Sequence, residues 1–219
     1  MVLHRAPLEW SGQNPYSPEA YSDLTVALMD KLGIQRAVLV GHSAGGTISV
    51  LTALRHPERV QALVLVDPAI YPGQGSPDWL LSLAVLPQVQ HWGPYMVRQI
   101  ATDGLSIIYS AWHNTSKITP AVIEGYTKPL RAENGDRALW EQTVANRPLG
   151  LDKQLDGIRV PVLVITGDDD RLVPVEQHVR LGHEIANATL VVIPNCGHVP
   201  HEEWPQEFVQ AITVFLERL

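Results

Sequence analysis

A single cysteine, Cys196, stands in the 219 residues, so no disulfide can form within the chain and a reducing compartment suits it. Lysine and arginine number 16 against 23 aspartates and glutamates, a formal net charge of −7. A surface of that sign offers no basic footprint to a phosphate backbone, which argues against nucleic acid as a partner. No apolar run reaches the length of a membrane span, and no signal-peptide pattern opens the chain; a cytoplasmic protein is expected. None of the nine histidines has zinc-ligand spacing and no glycine-rich phosphate loop occurs, so no metal or nucleotide cofactor is expected. No internal period marks a repeat. What remains is 45% hydrophobic and 18% charged residues, the balance of a globular enzyme with room for a sizeable core.

The most informative stretch is Val38-Leu39-Val40-Gly41-His42-Ser43-Ala44-Gly45-Gly46. Its apolar, β-branched start reads as a strand buried on both faces. Gly-x-Ser-x-Gly then turns directly into Thr47–Leu54, which has helical spacing. Such a reversal crowds the backbone, so Gly41 and Gly45 are expected to relieve clashes and Ser43 to occupy a strained bend. The serine hydroxyl, the Ala44 amide and the helix amino terminus would share one space at the carboxyl end of a sheet.

The remaining chain alternates strands and helices. Ser17-Pro18 reads as a cap opening a helix whose Leu24, Ala27, Leu28 and Leu32 recur at helical spacing, with Gly33 as its stop. Ala62–Val66 is a second buried strand. From residue 71 to 150 short amphipathic stretches are broken by proline and glycine, and four of the six tryptophans lie there (Trp79, Trp92, Trp112 and Trp140). This segment reads as a helical insertion between core segments 1–70 and 151–219. Strands return at Val160–Thr166 and Thr189–Ile193, separated by a helix from Pro174. A final helix from Pro205 is expected to bury Phe208, Val209, Ile212 and Phe215. The fold class is α/β, with a parallel sheet covered on both faces.

Three strands end in residues that can act together: Ser43, Asp168–Asp170 and His198. A serine hydroxyl needs an imidazole to take its proton, and the imidazole needs a carboxylate to fix its tautomer. Gly41–Gly46, Gly167-Asp168-Asp169-Asp170-Arg171-Leu172-Val173-Pro174 and Cys196–Pro205 together resemble the α/β-hydrolase superfamily, specifically its serine hydrolases with a helical cap. The resemblance spans residues 34–219. It implies Ser43 as nucleophile, His198 as base, Asp170 as acid and the Ala44 amide as an oxyanion donor. It places substrate selection in the cap, with His42, Trp112, Trp140 and Val173 as candidate pocket residues. Asp168 and Asp169 read as solvated loop acids, and Asp67 as a turn residue that some relatives would use as the acid. His42 also reads as a packed histidine, His201 as the start of the last helix, and Cys196 as an inert buried thiol.

The chain departs from the superfamily at its front. Only residues 1–36 precede the serine strand, without the His-Gly turn that supplies a second oxyanion amide in such enzymes, a donor worth about 10²–10³ in rate. The expected function is hydrolysis of small apolar carboxylic esters through an acyl-enzyme. Carbon–carbon bond hydrolysis and peracid formation use the same triad and remain open, as does a feeble hydrolase fold that binds a ligand or partner. If the chain is complete, Ala37–Val40 becomes a bare sheet edge and predicts a homodimer, unless Val2–Arg5 pairs with it.

Overall fold

The computed structural model describes residues 10–72, 86, 89, 91–95, 105–128, 132–145 and 147–219. Val2–Arg5, Trp79 and much of the expected insertion lie outside these residues. Helix α1 (Pro18–Lys31) begins where the Ser17 hydroxyl accepts the Ala20 amide at 3.2 Å, with proline at the first helical position. It ends at Gly33, whose φ of +70° is a left-handed conformation suited to glycine. Strand β1 (Ala37–His42), helix α2 (Ala44–Arg55) and strand β2 (Val60–Val66) follow. After helices α3 (Leu105–Ala111), α4 (Pro120–Thr127) and α5 (Gly135–Ala145) come strand β3 (Val162–Gly167), helix α6 (Val175–Glu184) and strand β4 (Ala188–Ile193). A single turn, α7 (Pro200–Glu203), leads into α8 (Pro205–Leu216).

The four strands form one parallel sheet in the order β1-β2-β3-β4. β2 and β3 lie in its centre, and their apolar runs Ala62–Val66 and Val162–Ile165 are buried on both faces. Side chains alternate between those faces. Leu63, Leu65, Val162 and Val164 pack with Val50, Leu51 and Ala53 of α2 and Leu181 of α6. On the opposite face Ala62, Val66, Leu163 and Ile165 meet Phe208, Ile212 and Phe215 of α8. Each large side chain removed from water in this way contributes roughly 2 kcal/mol, so the two central strands anchor the domain.

Two expectations need correction, those for β1 and Val209, and one apolar helix face is left open. β1 is not buried on both faces: it forms one edge of the sheet, and Val40 is 57% exposed. Leu24, Leu28 and Leu32 of α1 share a face, yet they are 62%, 55% and 62% exposed. The helix instead turns Ser22 and Met29 inward, with the Ser22 and Thr52 hydroxyls meeting at 3.1 Å between α1 and α2. Val209 of α8 is exposed while Phe215 is buried. In each case the residues are apolar as read, but the surface that would cover them is absent among the described residues. An apolar pattern alone cannot report which neighbours exist.

Candidate active site

β1 pairs with β2 up to His42↔Val66, and the chain then reverses into α2. Ser43 sits on that reversal with φ 53° and ψ −120°, while its amide donates to the Val66 carbonyl at 2.8 Å. A non-glycine residue in this region is strained, and the packing on both sides holds it there. Gly41 is required, because a Cβ would collide with the Gly45 carbonyl and the Ser49 hydroxyl. Gly45 is not: a Cβ there meets nothing, whereas one on Gly46 would lie 2.7 Å from Pro68. The second close approach is therefore one residue later than the Gly-x-Ser-x-Gly spacing suggests. Ala44 opens α2, whose first amides have no carbonyl partner within the helix and face an anion favourably.

At the end of β3, Asp170 is buried. Its Oδ1 accepts the Leu172 and Val173 amides at 2.8 and 3.0 Å, and its Oδ2 lies 2.7 Å from His198 Nδ1. Burial alone would raise this carboxyl, but the His198 hydrogen bond and charge, with the two amides, outweigh it and hold Asp170 below the ordinary carboxylate range. Ser43, Ala44, Leu172, Val173 and His198 line one cavity of about 1050 Å³, whose far wall includes Leu139, Gln142 and Thr143 of α5. Asp168 instead accepts the Cys196 amide, and Asp169 pairs with His113 and Arg171 near the surface.

The other pocket candidates divide. Val173 lines the cavity; His42, Trp112 and Trp140 do not. His42 Nε2 lies 2.7 Å from the His198 carbonyl, its ring packs against His198 and His201, and burial pushes it down to about 4. Trp112 is buried against Val199 and Leu172, and Trp140 beneath Gly93. Large indoles fill the interior first, which composition could not distinguish from lining a cavity. The aromatic lining comes from Tyr16, Tyr21 and Tyr71 instead. Cys196 is fully buried and its thiol is pushed up by that burial.

Two participants had no signature in the sequence. The buried Glu203 accepts the Gly197, His113 and Asn114 amides at 2.6, 3.0 and 2.9 Å, and the His198 amide donates to the Ala111 carbonyl at 2.7 Å. Together they clamp the histidine loop to the end of α3. The other is His178 of α6, buried near Asp67 and Asp170; only the position of Asp67 after a strand hinted at that cluster. Among the described residues, Asp67 and His198 with His42, and Asp67 and Asp170 with His178, are close enough to act as ligand sets for a cation.

The profile of the alpha/beta hydrolase fold family matches residues 5–205, and the chain belongs to that family. The hydrolase YugF of Bacillus subtilis is 28% identical over 204 residues, covering 92% of this chain and 73% of its own. A 2-hydroxy-6-oxononadienedioate/2-hydroxy-6-oxononatrienedioate hydrolase of Burkholderia vietnamiensis is 32% identical over 197 residues, covering 87% of this chain and 66% of its own. Among solved structures, a thermophilic esterase from Thermogutta terrifontis superposes with a TM-score of 0.69 at 26% identity, over 92% of this chain and 72% of that one. By family the protein is a hydrolase, and its relatives act on varied substrates. No described helix is long and apolar enough to cross a membrane.

Proposed function

We propose that the protein is a serine hydrolase that cleaves small apolar carboxylic esters through an acyl-enzyme. The observation that carries this reading is the 2.7 Å contact between buried Asp170 and His198, facing a cavity shared with the strained Ser43. Ser43 Oγ attacks the ester carbonyl carbon while His198 Nε2 takes its proton. The Ala44 amide, at the positive end of α2, stabilises the oxyanion. His198 returns the proton to the leaving alcohol, and water then hydrolyses the acyl group by the same route. Asp170 keeps the proton of His198 on Nδ1, leaving Nε2 free to accept. Residues 71–150 act as the cap, and the tyrosine, leucine and isoleucine lining favours an apolar acyl group.

A second reading, carbon–carbon bond hydrolysis with the same three residues, is supported by the likeness to the Burkholderia vietnamiensis hydrolase. Peracid formation and ligand binding without turnover are further readings of this site. Steady-state assays on p-nitrophenyl esters and on a vinylogous 2-hydroxy-6-oxo dienoate rank these activities. Ester turnover abolished by Ser43→Ala supports the first reading; turnover of the dienoate alone overturns it.

We also propose a homodimer joined along the β1 edge. β1 is unpaired on one side among the described strands, Val40 on it is exposed, and Leu24, Leu28 and Leu32 of α1 also present apolar surface. A soluble protein that acts on small molecules in the cytoplasm completes the reading.

A further inference from the structure

Behind the Asp170–His198 pair lies a set of ionisable groups that acyl transfer does not use. Asp67 follows β2, is fully buried and has φ 44°, a second strained residue close to Ser43 in the fold. Its Oδ1 accepts the Gly167 amide at 3.4 Å and lies 4.0 Å from His178 Nδ1. Its Oδ2 is buried with no hydrogen-bond partner. His178 is buried as well, with Nδ1 2.8 Å from the Thr166 hydroxyl and Nε2 unpartnered. Ligand atoms of Asp67, Asp170 and His178 all fall within 4.8 Å of one another.

Two carboxylates this close in a dry interior cannot both be ionised, and two acceptors form no hydrogen bond until one carries a proton. Asp170 is the better anion, because two backbone amides and His198 already donate to it. Asp67 has only one long amide contact and the Thr166 hydroxyl beside it. The other groups facing Asp67 supply no resident cation: His42 and His178 are each pushed down to about 4, chiefly by burial, and the Cys196 thiol is pushed up. His198 also approaches Asp67, but its Nδ1 hydrogen bond goes to Asp170.

We propose that Asp67 is a positioning residue for the triad, a buried carboxylic acid that donates its proton to Asp170 and holds that carboxylate against His198, with neutral His178 closing the back of the site. The proposal rests on reading Asp170 and His198 as the acid and base. It also accounts for the orphaned Asp67 oxygen. Loss of that proton would place a second negative charge behind His198 and alter its basicity.

The stability of the fold should report the proton. Burial, then the charge of Asp170, raises Asp67 from 3.8 to about 8. Its contribution is therefore fully present below about pH 4 and is lost as pH rises to about 8. Asp67→Asn keeps a donor for Asp170 and an acceptor for Gly167 without an ionisable group. It should keep most activity and exceed the wild type in Tm by a margin that widens from about pH 4 to about pH 8. Asp67→Ala should lower kcat about tenfold with KM unchanged, the worth of one hydrogen bond to a charged group, and Asn should restore it. Infrared spectroscopy of the wild type needs no variant: a carboxylic-acid C=O band should persist at neutral pH and vanish near pH 8. Absence of that band at neutral pH, an Asp67→Asn variant less stable than wild type at about pH 8, or a stoichiometric divalent ion in the purified protein would each overturn the proposal. If the band is present but Ser43 proves unreactive, the triad reading fails and the paired carboxyls stand.

Discussion

Replacing Asp170 by asparagine separates its role as anchor from the proposed one as base-orienting acid. The asparagine Oδ1 can still accept the Leu172 and Val173 amides, which the aspartate binds at 2.8 and 3.0 Å, so the loop should keep its shape. The amide nitrogen then faces His198 Nδ1 where Oδ2 now lies at 2.7 Å. Two N–H groups cannot share that contact, so the imidazole must move its proton to Nε2, the atom required to accept from Ser43. The expected loss is about 10⁴ in kcat, or about 5 kcal/mol of barrier, with KM little changed. The assay is kcat and KM on a p-nitrophenyl ester, with circular dichroism to verify folding. A folded Asp170→Asn variant within tenfold of wild type, or a larger loss from Asp67→Asn, would refute the assignment of the acid.

Glu203→Gln must turn an amide N–H toward one of the three donors that the carboxylate now accepts, costing about 1.5–3 kcal/mol of stability by chemical denaturation. It should also lower kcat by loosening the His198 loop. Gly41→Ala drives a methyl into the Gly45 carbonyl and should cost at least about 2 kcal/mol, whereas Gly45→Ala should be far milder in the same denaturation assay. Light scattering at micromolar concentration should give a dimer that Leu24→Glu with Leu28→Glu dissociates; a stable wild-type monomer would remove the edge-pairing proposal.

The sheet was legible because β2 and β3 contain the continuous apolar runs Ala62–Val66 and Val162–Ile165, the form taken by strands covered on both faces. β1 looked the same, since a run of Val38, Leu39 and Val40 records only that apolar residues are present and says nothing of which side is open. That Ser43, Asp170 and His198 come together was legible as well, because each follows a strand and lies at the same end of the sheet. Glu203 and His178 were not: only Gly197 is near Glu203 in sequence, its partner His113 is 90 residues away, and Asp67, which His178 approaches, follows a distant strand. No local spacing encodes such contacts. The tryptophans misled for a different reason, as indoles suit an interior and a cavity wall equally, and only the packing of Trp112 on Val199 and Trp140 on Gly93 separates the two.

The central claim is that Ser43 is a nucleophile activated by His198. Treating the protein with a fluorophosphonate and mapping the modified peptide tests it directly. Stoichiometric phosphonylation of Ser43, lost in Ser43→Ala and strongly slowed in His198→Ala, is the predicted result. Modification of a different serine, or equal labelling of the folded His198→Ala variant, would contradict it.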